Sequence, residues 1–467
     1  MRYLAFILAA LTSAEMQAFG LAPKLVVNVT IDELRADYME AFYPLYGQSG
    51  FRKLLDQGLV YEGASYPSTP IDRASAVATL STGASPYLNG IISTQWLDRE
   101  TLQPVNCVSD TRYLYSPSRV RTSTLGDELK LSTDGRAIVY SFSADKETAI
   151  LSAGHAADGA FWLGQGGRWQ GTAYYGKALP SWLKAYDSLR EKHIAHGSQA
   201  NDDVVSASLQ ALSAIAMGRD AIPDMLYVTL SAAPNSPQTS AGWQSSMESV
   251  YVQLDKSVAS LVLGVERQVG AGEVLFVFTS TGYSSELPVD LPKYRVPTGT
   301  FYINRTANLL NMYLSAIYGQ GRYVEQCFAN QMYLNHKLIE QKRISLSEIF
   351  NRSESFLIQC AGVSDVYTSE RLLSGNDDIR KIRNGFNPSV SGDIIVALSP
   401  GWQLLNEETH QTWYSSIGFM PFPIVFWGMG IAHDVVKSPV TVDRIAPTVA
   451  KAIRIRAPNA CSVSPLF

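Results

Sequence analysis

KLVVNVTIDELRADY, residues 24–38, begins as an unbroken apolar, β-branched run and ends on an acidic residue, Asp32. A continuous run, rather than an alternating one, suits a strand covered on both faces. The pattern returns in RAIVYSF (136–142), MLYVTLS (225–231), EVLFVFTS (273–280), GDIIVALS (392–399) and FPIVFWG (422–428). Helical periodicity lies between these runs, as in DDVVSASLQALSAIAMGR (202–219), SMESVYVQLDKSVASLVLGVERQ (246–268) and TVDRIAPTVAKAI (441–453). Strands alternating with helices predict an α/β fold with a doubly wound, mostly parallel central sheet flanked by helices. Residues 155–200, rich in Gly, Trp and Tyr, and residues 284–385 lack that regular alternation. They are expected to be insertions in one domain spanning 23–467, the second forming a cap.

In open α/β sheets, sites form just beyond the carboxyl ends of the strands. Asp32 therefore stands where a metal ligand would, although an aspartate there also suits the N-cap of the next helix. A second stretch, PSTPIDRASAVATLSTG (67–83), reads as a loop entering a small-residue helix closed by Thr82 and Gly83. Helix entrances expose unpaired N–H groups and attract nucleophiles and anions. Here the entrance carries Arg73. Ser68, Thr69 and Ser75 lie beside it and suit turn and cap duty.

The 467 residues are 46% hydrophobic and 17% charged, with a net charge of −4. A large core is expected, and broad electrostatic binding to nucleic acid is not. The start, MRYLAFILAALTSAEMQA, has a basic n-region, a short apolar stretch and small residues, the pattern of a secretory leader over 1–18. It predicts a secreted or periplasmic protein with no membrane span after the leader is removed. The four cysteines, Cys107, Cys327, Cys360 and Cys461, form no CxxC pair, and either bridges or free thiols are compatible with their spacing. No GxSxG elbow is present. His193 and His196 make an HxxH in a charged stretch, read as a solvated loop.

Several blocks occur in order: KLVVNVTIDELRADY, PSTPIDRASAVATLSTGASPYLNGIISTQWLDR, VNCVSD, AILSAGHAADGAFWL, SGDIIVALSPGW and APNACSV. Together they resemble the alkaline phosphatase superfamily, in the type I phosphodiesterase/nucleotide pyrophosphatase branch with its PafA-like secreted phosphatases. The resemblance implies two zinc ions held by aspartates and histidines at strand ends, which activate a Thr or Ser nucleophile.

Residue by residue, the resemblance places Asp32 at the first metal position and Arg73 at the nucleophile. Thr94 stands for a substrate-binding asparagine. Asp145 and Glu147 stand for a substrate-binding lysine and arginine, with both charges reversed. Pro234 and Gln238 fall on an Asp-x-x-x-His ligand pair, and Thr281 and Gly282 on an Asp-His pair. His410, in EETHQTW, keeps the last zinc histidine. Asp32 and His410 are thus the surviving ligand types, and in the family they serve different metals. No catalytic residue and no cofactor are expected of this chain. Arg73 is expected to pair with Asp32, with anion binding at the helix entrance as the other role. The predicted function is that of an exported pseudophosphatase binding an unknown protein or small ligand in the old pocket. A phosphate-ester hydrolase with a remodelled or reduced metal site is the alternative.

Overall fold

The computed structural model describes residues 22–176, 179–190, 197–234, 242–286, 293, 295–375, 377–414 and 420–467. The leader read over 1–18, the HxxH pair and Gln238 lie outside these residues. Ten strands form the central sheet: β1 (Leu25–Asp32), β2 (Leu59–Ser65), β3 (Val139–Ser143), β4 (Gly159–Leu163), β5 (Trp169–Gly171), β6 (Asp224–Ser231), β7 (Val274–Ser280), β8 (Phe422–Gly428), β9 (Asp434–Val436) and β10 (Val440–Thr441). Their order is β9-β2-β8-β7-β1-β6-β3-β4-β5, with β10 also pairing with β2. The block β7-β1-β6-β3-β4 is parallel, whereas β8 runs antiparallel to both β7 and β2.

The continuous runs of β6 and β7 are buried along their whole length, as double-sided cover requires. Strand β1 shows how the two faces divide. Leu25, Val27, Val29 and Ile31 join one core layer, packed under α3 (Asn201–Ile215) and α4 (Trp243–Val269). Val26 joins the other, under α1 (Arg73–Thr82) and α2 (Lys146–Ala153). Side chains alternate along a strand, so Asn28, Thr30 and Asp32 share the face of Val26. Asp32 thus projects from the sheet end toward the side occupied by α1.

Helix α1 can lie close to the sheet because Ala74, Ser75, Ala76 and Ala78 are small and buried. Asp72 caps it by accepting the Ser75 N–H at 2.9 Å, while the Ser75 hydroxyl accepts the Asp72 N–H at 3.0 Å. This reciprocal box fixes the first turn. Gly83 ends the helix in the left-handed region, at φ 61, where a residue with a Cβ is strained.

Two expectations need amendment. GDIIVALS is a strand (Ile394–Leu398), but not in the central sheet. It pairs antiparallel with Gln331–Leu334 and Val363–Thr368 in a separate four-stranded sheet that also contains Val324–Phe328. The hydrophobic run was real, but an apolar run alone does not say which sheet it joins. The region 155–200 also supplies β4 and β5, which extend the central sheet at one edge.

The region 284–385 shares its sheets and core with residues 394–414, including Leu404, Ile394 and Val396. This second lobe is tied to the first by polar contacts from Arg99, Arg121 and the loop before α1. Arg99 Nη2 donates to Asp393 Oδ1 at 2.6 Å, and His336 Nε2 lies 2.8 Å from the same oxygen. Thr69 N donates to Lys381 O at 3.0 Å, and Asn384 Nδ2 to Pro67 O at 2.9 Å. The second lobe therefore supports the loop that leads into Arg73.

Arg99 pairs with a buried carboxylate, so Arg99→Met is expected to lower stability by about 1–3 kcal/mol in urea denaturation; a wild-type midpoint would mean that the joint contributes nothing. A second test concerns His155. Its Nδ1 lies 2.9 Å from Asp127 Oδ2 and its Nε2 3.0 Å from Val120 O, so the protonated ring satisfies both acceptors. The Asp127 hydrogen bond raises its pKa above the usual histidine value, against the opposing effect of burial. The stabilisation is full below about pH 6.5 and is lost as pH rises through the raised folded-state pKa. Melting curves of wild type and His155→Gln should differ most under acidic conditions and converge as pH rises; a constant difference would contradict this.

Candidate functional site

The ends of β1, β6 and β7 lie side by side, because Asp32 is in register with Ser231 and Ile31 with Ser280. The first turn of α1 and the start of α2 close over them. Arg73, the first residue of α1, places Nε 2.7 Å from Asp32 Oδ2 and Nη2 2.7 Å from the same oxygen. Its Nη1 lies 2.9 Å from Asp145 Oδ2, just before α2. One guanidinium thus bridges a carboxylate whose side chain is 3% exposed and another that is 45% exposed. The pairing with Asp32 is the one expected from the sequence.

The rest of Asp32 is also occupied. Thr281 Oγ1 donates to Oδ1 at 2.9 Å, and the Tyr283 hydroxyl donates to Oδ2 at 3.3 Å. Thr281 Oγ1 in turn accepts the Glu33 N–H at 3.1 Å. Glu33 stands at φ 58, an uncommon conformation for a non-glycine residue, so this turn is held by its neighbours. Its carboxylate accepts from Ser285 N and Oγ, both at 2.7 Å. Glu286 continues the strap by pairing with Arg35 and by accepting from the Tyr38 hydroxyl at 2.7 Å. The segment after β7 is therefore fastened to residues 32–38 at four successive places. Gly282 within it has φ 69, and a Cβ there would meet the Tyr66 ring at 2.6 Å.

The charge balance follows from crowding. Burial would pull the Arg73 guanidinium down, but Asp32, Tyr283 and Asp145 outweigh it and hold its pKa above the ordinary arginine value. Burial pushes the Asp145 carboxyl up; Arg73 opposes this, and Asp32 and Glu147 add to it. Burial likewise raises Glu33, against the Ser285 hydrogen bonds.

The other sequence-derived positions are engaged in local structure. Thr94 donates from N and Oγ1 to Asp72 Oδ2, at 2.5 and 2.7 Å, and so braces the α1 cap. Glu147 accepts from Asn106 Nδ2 at 2.8 Å and pairs with Lys146 at 3.0 Å. Pro234 follows the end of β6. His410 is exposed and lies in the turn joining Gln403–Asn406 to Gln411–Tyr414, in a separate three-stranded sheet. The sequence reading named Asp32, Arg73 and Thr281 but missed Tyr283, Ser285 and Glu33. A run of hydroxyl residues directly after a buried strand was the available signal.

The two zinc ions implied by the resemblance do not fit these residues. Both oxygens of Asp32 are engaged, and the Thr281 hydroxyl is shared between Asp32 and the Glu33 N–H. Pro and Gly side chains carry no donor atom. Among the described residues, no group of three or more His, Cys, Asp or Glu side chains is arranged to hold a metal ion. The four cysteines are free thiols.

The model of the type I phosphodiesterase / nucleotide pyrophosphatase family matches residues 26–419. The chain is 24% identical to the alkaline phosphatase PafA of Elizabethkingia meningoseptica, over 95% of this chain and 94% of that protein. It is also 24% identical to the alkaline phosphatase PhoV of Synechococcus elongatus, over 94% and 91%. The crystal structure of wild-type PafA superposes with a TM-score of 0.82 at 22% identity, covering 95% of this chain and 98% of that one. By the match along most of its length, the chain belongs to the type I phosphodiesterase / nucleotide pyrophosphatase family, on its PafA-like alkaline phosphatase branch.

Proposed function

We propose that this protein is an exported member of its family whose strand-end site serves binding rather than phosphate-ester hydrolysis. The observation that carries this reading is Arg73 at the head of α1, with two guanidinium nitrogens 2.7 Å from Asp32. A guanidinium is a permanent cation without a nucleophilic lone pair at working pH, so it cannot take the role of a Ser or Thr alkoxide. The nearby Asp145 and Glu147 place negative charge where a phosphate ester would need cations, which disfavours that substrate. The binding roles this reading allows are a scaffold, a partner to an active paralogue, or a receptor for a non-phosphorylated ligand. Export rests on the leader-like residues 1–18; among the described residues no helix is long and apolar enough to cross a membrane.

A second reading has its own support: the curated relatives PafA and PhoV bear the name alkaline phosphatase. On that reading the chain hydrolyses phosphate esters with a reduced or remodelled metal site.

The purified protein should release no phosphate or alcohol above the buffer rate from a panel of phosphate mono- and diesters, with or without added zinc. Stoichiometric zinc together with turnover that Asp32→Asn abolishes would overturn the binding reading in favour of the second.

A further inference from the structure

We propose that Arg73 is a built-in counter-ion: its guanidinium takes the electrostatic place of a metal at the strand ends and keeps a divalent cation out of the native chain. The proposal rests on the binding reading of the site and extends it to what that site would accept if the guanidinium were removed.

The argument starts from position. Arg73 stands at the head of α1, where Asp72 and Ser75 lock the first turn, so its side chain is delivered to one place. There it contacts a carboxylate from β1 and another from the start of α2, both within 2.9 Å. Two carboxylates converging from different elements repel one another unless a cation lies between them. A metal would supply that charge, but the guanidinium does so covalently, at no binding cost and at any metal concentration.

The groups around this point define what could replace it. Asp32 ends β1, Asp145 stands just before α2, and Thr281 and Tyr283 reach Asp32 from the strap, while Glu33 is held by Ser285 and Glu147 pairs with Lys146. Lys146 pairs with Glu147, and among the described residues Arg73 is the cation that contacts Asp32. Besides one another, the side-chain partners of the guanidinium and of Asp32 are carboxylate and hydroxyl groups, with no imidazole or thiolate among the described contacts of Asp32. An all-oxygen set favours hard cations such as Mn²⁺ or Ca²⁺ over Zn²⁺. Removing the guanidinium should therefore expose a site for one hard divalent ion, different in preference from the zinc sites implied for the family.

The experiment compares wild type, Arg73→Ala, Arg73→Lys and the double variant Arg73→Ala/Asp32→Asn. Each is titrated with manganese chloride and followed by thermal melting and by metal analysis after gel filtration. Arg73→Ala should melt below wild type without metal. It should retain about one Mn²⁺ per chain and gain ~2 °C or more in Tm with millimolar Mn²⁺, with a smaller gain from zinc. Wild type, Arg73→Lys and the double variant should show neither uptake nor shift. If Arg73→Ala folds only when manganese is present, the proposal is equally supported. If it does not fold in either condition, Arg73→Gln carries the same test.

Equal manganese uptake by wild type and variant, or no manganese-dependent shift in a folded Arg73 variant, overturns the proposal. Failure of the underlying reading looks different. Zinc-dependent phosphate-ester turnover by the wild type defeats the binding reading itself, whereas an inert wild type with a manganese-blind variant defeats the counter-ion proposal alone.

Discussion

The ion pair between Arg73 and Asp32 is the contact on which the strand-end region depends. A carboxylate that is 3% exposed at the end of the central strand carries a large desolvation cost unless a cation and hydrogen-bond donors meet it. Arg73 supplies the charge, and Thr281 and Tyr283 supply the remaining donors. The strap after β7 is then drawn down, because Thr281 also receives the Glu33 N–H and Ser285 binds the Glu33 carboxylate. Removing the guanidinium while keeping Asp32 would leave a buried charge without its partner, and that asymmetry gives one side chain so much influence over its surroundings.

The fold beneath the site does not depend on that chemistry. Strands β1, β6 and β7 are fixed by buried side chains in register, and the helices on both faces by separate apolar layers. Such packing is non-directional and tolerates exchange of the polar residues at strand ends. A family frame can therefore persist while its site changes. The second lobe adds a constraint through its contacts with residues 67–69, which hold the entrance of α1 and hence the origin of the Arg73 side chain.

Much of this was legible in the sequence. The continuous runs located β1, β6 and β7, and the small residues between Arg73 and Gly83 marked a helix able to approach the sheet closely. Asp32 and Arg73 were readable as partners through the resemblance, which places one at the first metal position and the other at the nucleophile position. The placement of GDIIVALS was not legible, since hydrophobicity sets burial but not which sheet a strand joins. The strap was signalled by the hydroxyl residues after β7, but its partners were not: Tyr283 and Ser285 act through hydrogen bonds to Asp32 and Glu33 at a left-handed turn, a backbone feature with no signature in residue type. Thr94 was read by its position as part of a pocket, yet its observed partner is the helix cap at Asp72.

The central claim is that a guanidinium, rather than a metal, neutralises Asp32. Crystals grown with zinc and manganese, with anomalous diffraction recorded at both absorption edges, test it most directly. The account predicts ordered density for the Arg73 side chain between Asp32 and Asp145, and no anomalous peak at the strand ends. A peak at bonding distance from Asp32, with Arg73 swung away, would contradict it.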